Sequence, residues 1–84
     1  MQVNFQPAAW DDFLYWERTN KKLYKRILAL IKAIQRQPFD GIGKPEALKA
    51  DLSGFWSRRI DHEHRLVYTV ENNRITIIQC RGHY

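Results

Sequence analysis

The sequence predicts an α+β fold, a small twisted antiparallel sheet with two N-terminal helices packed on one of its faces. Three observations carry that prediction. Apolar residues recur at helical spacing through the first half of the chain, and at alternate positions after Ser53. Two polar stretches, Asp61-His62-Glu63 and Glu71-Asn72-Asn73, punctuate the alternating half as hairpin turns would. At 84 residues the chain is expected to form one domain over 1–84. A chain this short buries about 60–65 % of its unfolded surface, so its core is adequate rather than generous.

Taken in order, Val3-Asn4-Phe5 reads as a short edge or terminal strand, cut off by Pro7. Pro7 suits the first turn of a helix, where its missing N–H is not needed. Ala8 to Arg18 carries Ala9, Trp10, Phe13, Leu14 and Trp16 at near-helical spacing, with Asp11 and Asp12 toward the positive end of the helix dipole. Its aromatics read as core or a docking face rather than a platform for stacking bases. Thr19-Asn20 breaks that helix and offers an N-cap for the next. There Leu23, Ile27, Leu30, Ile31 and Ile34 follow a 3.6-residue period, and six cations occupy the other sides up to Arg36. Pro38 ends it.

Pro38 to Lys44 is a turn-rich connection. Its Gly41-x-Gly43-Lys44 lacks the spacing and the strand–loop–helix setting of a nucleotide-phosphate loop, so no such site is expected. Glu46 to Leu52 is either a strand or a helical turn. Ser53 to Tyr68 reads as two half-exposed strands joined at Asp61-His62-Glu63, which places Ile60 opposite His64 and Arg59 opposite Arg65. Like charges face to face across a ladder are destabilising, which a bound polyanion would relieve. Asn72-Asn73 then tolerates the positive φ of a tight turn, and Ile75 to Arg81 returns with Ile75 and Ile77 on the face of Leu66, Tyr68 and Val70.

Composition narrows the function. With 44% hydrophobic and 27% charged residues the chain is outside the disordered class. Fourteen Lys plus Arg against nine Asp plus Glu give +5, which fits a polyanionic partner such as nucleic acid, or an acidic protein. One cysteine, Cys80, excludes an internal disulfide and suits a reducing compartment. No apolar run approaches the ~18 residues of a membrane span, and no signal-peptide pattern opens the chain. The expectation is a cytoplasmic protein without a membrane partner.

For chemistry, His62-x-His64 around Glu63 has no second ligand cluster, so no metal is expected. Cys80, Ser53 and Ser57 lack the setting of a nucleophile. Glu46, Lys49, Arg59, Arg65, His83 and Tyr84 remain. A carboxylate, an imidazole and cations suffice for RNA cleavage without a metal: a base takes the 2′-OH proton, an acid protonates the leaving 5′-oxygen, and cations stabilise the phosphorane. Sequence alone does not bring Glu46 to His83.

The chain resembles the YoeB toxins, members of the RelE-like family of bacterial type II toxin–antitoxin modules. The resemblance runs through Trp10-Asp11-Asp12, Tyr15-Trp16, Pro38-Phe39, Gly43-Lys44-Pro45-Glu46, Leu48-Lys49, Leu52-Ser53-Gly54-Phe55-Trp56-Ser57-Arg58-Arg59-Ile60, Glu63-His64-Arg65-Leu66-Val67-Tyr68 and Cys80-Arg81-Gly82-His83-Tyr84, which together span essentially the whole chain. It implies a microbial-ribonuclease-like fold and a metal-free endoribonuclease that enters the ribosomal A site and cuts mRNA there. It also implies roles: Glu46 as general base, His83 as general acid, Arg65 as the phosphate-stabilising cation and Tyr84 as a positioning residue. Lys49 and Arg59 match cations near the scissile phosphate, and no cofactor is implied. The partners implied are the ribosome, its mRNA and an acidic YefM-type antitoxin whose disordered tail wraps the toxin. A homodimer stays open. Gly82 stands where some relatives carry a bulkier residue. The competing readings are a non-catalytic toxin of the ParE type, directed at DNA gyrase, and a plain RNA-binding module. The second would leave Glu46 and the chain end without a task.

Overall fold

The computed structural model describes all 84 residues. Strand β1 (Gln2–Phe5) leads into helices α1 (Pro7–Thr19) and α2 (Lys21–Arg36). Strands β2 (Glu46–Ala47), β3 (Trp56–Arg59), β4 (Arg65–Glu71) and β5 (Arg74–Gln79) follow, with a 3₁₀ turn (Ala50–Leu52) between β2 and β3. The five strands make one sheet in the order β1-β5-β4-β3-β2.

The helices form where the periodicity places them. Pro7 is the first residue of α1. The Asn20 side chain caps α2 by accepting the Leu23 N–H at 3.2 Å, a contact typically worth ~1 kcal/mol. Leu23, Ile27, Leu30, Ile31 and Ile34 are all buried, and they pack with Ala9, Phe13 and Trp16 of α1 against Leu66, Tyr68, Ile75 and Ile77 of the sheet. One face of the sheet is thereby covered. Trp10, by contrast, is 45% exposed, with its ring 5.3 Å from that of Phe5.

The sheet departs from the expected antiparallel arrangement at one edge. β1 runs parallel to β5, with Val3 opposite Ile75 and Phe5 opposite Ile77. Parallel neighbours need a long crossover, which the helices and the sheet's far half provide; alternation of side chains carries no information on strand direction. The other strands pair antiparallel. Arg59 does lie opposite Arg65. Asn72 and Asn73 take φ of 54° and 59°, the conformation of a two-residue hairpin turn. In β4, Val67 pairs with Gln79 but Tyr68 pairs with Ile77, so Ile78 is a bulge that offsets the last part of the chain.

A second departure concerns Arg58. In a stretch read as half-exposed, it is completely buried. Strand alternation sends it to the core side, away from Arg59. Its guanidinium donates to the carbonyls of Gln37 (2.6 Å), Asp40 (2.8 Å) and Ile42 (3.0 Å), and its Nε donates to the Tyr68 hydroxyl at 3.2 Å. Burial raises the Tyr68 pKa, against the opposing pull of Arg58, so its phenol stays protonated and donates to the Pro38 carbonyl at 2.7 Å. Arg58 and Tyr68 together tie the turn-rich connection to the sheet.

Cys80 is also fully buried, between the Trp16 indole, which donates to its carbonyl at 2.8 Å, and the Ala9 carbonyl. Burial pushes its thiol up to about 12, and the Asp12 carboxylate adds to the effect. At a given pH below 9 the folded protein holds about 10³-fold less thiolate than a free thiol would. Alkylation of the native protein by iodoacetamide at pH 8 should be slower than that of urea-unfolded protein by a similar factor, as intact mass against time would report. Rapid native labelling would contradict the buried placement. The sign for stability follows: the neutral thiol's contribution is present below about pH 9 and is lost as pH rises toward 12.

Candidate active site on the uncovered face of the sheet

Period-two alternation sends Ser57 and Arg59 of β3, and Arg65 and Val67 of β4, to the face opposite the helices. Glu46 joins them because β2 pairs with β3 and sets Glu46 opposite Ser57. Gly43 makes that pairing possible. Its φ is +85°, and a Cβ there would stand 2.8 Å from Leu30 and 3.1 Å from Arg58. Only glycine lets the backbone come so close, and the Gly43 carbonyl then accepts the Arg59 N–H at 2.7 Å. The Gly-x-Gly-Lys stretch therefore serves close packing and aims Lys44-Pro45-Glu46 at β3.

At the other end of the chain, the Gly82 carbonyl accepts the Arg65 N–H at 2.9 Å, and the Gly82 N–H donates to His64 Nδ1 at 2.8 Å. Arg81 lies flat on α1, its guanidinium carbon 3.8 Å from the centre of the Tyr15 ring. Beyond Gly82 the last two residues turn into the face of the sheet. His83 and Tyr84 stack with ring centres 4.7 Å apart and planes at 21°. The Tyr84 hydroxyl donates to Glu46 Oε1 at 3.2 Å, and Ser57 Oγ lies 3.3 Å from it. With the phenol proton committed to Glu46, Ser57 is the donor of that second bond.

These contacts enclose a cleft of about 400 Å³ lined by Lys44, Pro45, Glu46, Ser57, Arg59, Arg65, His83 and Tyr84. Five of the six residues singled out from the sequence thus meet in one place, with Glu46 and His83 arriving from opposite ends of the fold. Lys49 does not line this cleft. It borders an adjoining groove that shares Glu46 and Tyr84 with it. Lys44 and Ser57 were missed by sequence reasoning. For Ser57 a signal existed, since it stands two residues before Arg59 on the same strand and so shares its face.

The electrostatics favour an anion. Arg59, Arg65 and Lys44 converge, with Glu46 as the one acidic side chain lining the cleft. Arg65 is partly occupied: its Nη1 donates to the carbonyls of Asp61 (2.8 Å) and His64 (3.1 Å), bracing its own turn, while Nε and Nη2 bond to nothing within the chain. Asp61 shapes the same turn by accepting the N–H groups of Glu63 (2.9 Å) and His64 (2.6 Å). Burial works to raise its pKa, but those two bonds, together with the nearby His64 and His62 rings, outweigh it and hold the carboxyl below the usual carboxylate range. Asp61 therefore stays charged in the folded protein. Chemically, the cleft offers an open carboxylate, an open imidazole, a phenol and free guanidinium edges, which is enough to move protons at a bound phosphodiester.

Residues 5–84 match the family model of the YoeB-like toxin of bacterial type II toxin–antitoxin systems. Toxin YoeB of Synechocystis is 60% identical over all 84 residues, covering 98% of its own length. Among solved structures, a YoeB/ParE toxin from Agrobacterium tumefaciens superposes with a TM-score of 0.98 at 46% identity, over the full length of both chains. YoeB of Staphylococcus aureus has been solved in a YoeB–YefM complex (TM-score 0.93, 50% identity) and as a dimer (0.94, 49%), each covering 100% of this chain and 98% of that one. The chain belongs to the YoeB-like family and is a toxin of a type II toxin–antitoxin system.

Proposed function

We propose that this toxin is an endoribonuclease that cuts mRNA in the ribosomal A site, without a metal, and so stops translation. The observation that carries this reading is the convergence of Glu46, Arg65, His83 and Tyr84 on one cleft, joined there by Arg59. In the proposed reaction Glu46 takes the proton from a ribose 2′-OH, and the freed oxygen attacks the adjacent phosphorus. His83 protonates the departing 5′-oxygen. Arg65 faces the charge that builds on the phosphorane, and Tyr84 keeps Glu46 and the scissile group aligned. Arg59 in the cleft, and Lys49 in the groove beside it, hold neighbouring phosphates. A 2′,3′-cyclic phosphate and a 5′-OH result.

The partner read for this chain is an acidic, YefM-type antitoxin. The S. aureus complex supports that reading, as does the net charge of +5. The S. aureus dimer supports a homodimer. No helix is long and apolar enough to cross a membrane.

The test is cleavage of a defined mRNA on purified ribosomes, with the new 5′ ends mapped by primer extension. The expected result is a cut within the A-site codon that moves when the ribosome is stalled one codon further along. Intact mRNA together with inhibition of DNA gyrase would instead favour the ParE-type reading.

A further inference from the structure

The chain end that carries His83 and Tyr84 leaves β5 at Gln79 and has no strand of its own to hold it. Regular pairing would have the Gly82 N–H donate to a backbone carbonyl of β4. The Arg65 carbonyl would be that acceptor, because the Arg65 N–H already donates to the Gly82 carbonyl at 2.9 Å and an antiparallel pair exchanges both bonds. The His64 side chain takes its place: Nδ1 accepts the Gly82 N–H at 2.8 Å. A lone pair on Nδ1 requires the tautomer with the proton on Nε2, and the Glu63 carboxylate, 3.7 Å from Nε2, favours that proton. The imidazole is fixed from the other side by the Trp16 ring, edge-on at 4.8 Å, and its side chain is only 13% exposed. His64 does not line the cleft, and it meets the site through its bonds with Arg65 and Gly82.

We propose that His64 is a positioning residue of the active site: as the ladder partner of Gly82, its Nδ1 sets the direction in which His83 and Tyr84 enter the cleft. This rests on the ribonuclease reading above. A misplacement of about 1 Å at a catalytic group can cost ~10²-fold in rate. Loss of the bond should therefore lower the rate of chemistry and leave ribosome binding nearly untouched.

Three substitutions separate this role from plain packing. His64→Asn keeps an acceptor at the δ1 position; His64→Gln moves the polar group out to the ε position; His64→Leu removes it. Two readouts are taken on each: single-turnover cleavage on programmed ribosomes, with binding measured separately, and hydrogen exchange of the Gly82 amide followed by NMR. The expected result is a fall of ~10–100-fold in cleavage rate for Leu and Gln with binding within about twofold. The Gly82 amide should exchange fast in both. Asn should retain the slow exchange and most of the rate. Wild-type cleavage rates in a folded Leu variant, or equal losses in Asn and Gln, would overturn the proposal. A wild-type protein that cuts no mRNA would overturn the ribonuclease reading instead. The Gly82 exchange pattern would then decide alone whether His64 holds the chain end, unprotected wild-type Gly82 ruling it out.

Discussion

Glu46→Gln and His83→Gln are each expected to slow single-turnover cleavage of ribosome-bound mRNA by ~10²–10⁴-fold, the usual worth of one general acid or base. Glutamine at position 46 keeps an oxygen that can accept the Tyr84 hydroxyl, 3.2 Å away in the native cleft, while removing the basicity. Both residues are exposed, so neither change opens the core. Binding to the ribosome should hold within a fewfold, since the loss falls on an interaction made in the transition state. The check is a rate measured with toxin in excess, beside a pelleting assay for occupancy. A rate within about threefold of wild type for either variant would remove that residue from proton transfer.

The largest structural effect belongs to Arg58→Ala. It leaves the part-buried carbonyls of Gln37, Asp40 and Ile42 without their donor, deletes the buried bond to Tyr68 and empties the fully buried place of the Arg58 side chain. Hydrogen bonds to a buried charge and the cavity left by its side chain together make a loss of about 3–5 kcal/mol reasonable. In a domain of this size that lowers Tm by at least about 12 °C. Lysine should recover only part of it, because a single ammonium cannot reproduce the fork that reaches three carbonyls. Thermal unfolding followed by circular dichroism decides. A Tm within about 3 °C of wild type would mean that the 37–43 connection holds its place by other contacts.

How much of this was legible in the sequence depends on the kind of signal each feature leaves. The α2 stripe is a repeating pattern of side-chain polarity, so Leu23, Ile27, Leu30, Ile31 and Ile34 could be placed without a structure, and all five are buried. The hairpin register was equally readable, because a three-residue turn counted back from Arg65 lands on Arg59, and the two do face each other. Asn72-Asn73 announces its turn through a backbone preference. Other features leave no such trace. Nothing in Gln2 to Phe5 says whether the strand runs with or against β5. Arg58 and Arg59 look alike as letters, yet alternation buries one and exposes the other, and only the carbonyls of the 37–42 turns make burial tolerable for a charge. The meeting of Glu46 with Tyr84 depends on β2 closing onto β3 beside Gly43, a contact between distant segments that local pattern cannot encode. The resemblance supplied that juxtaposition as an expectation; the geometry supplies its means.

The proposed reaction requires the substrate's own 2′-OH to be the nucleophile, and one measurement tests that most directly. A ribosome is programmed with an mRNA carrying a single 2′-deoxy sugar at the mapped cut position, beside the all-ribose control, and the ends of every fragment are identified. From the control, the account predicts an upstream fragment ending in 2′,3′-cyclic phosphate, or in the 3′-phosphate it hydrolyses to, and a downstream fragment beginning with 5′-OH. From the deoxy message it predicts none of these products, with toxin still bound in the A site. Cleavage at the deoxy position, or a 5′-phosphate on the downstream fragment, would make water the nucleophile and contradict the role given to Glu46.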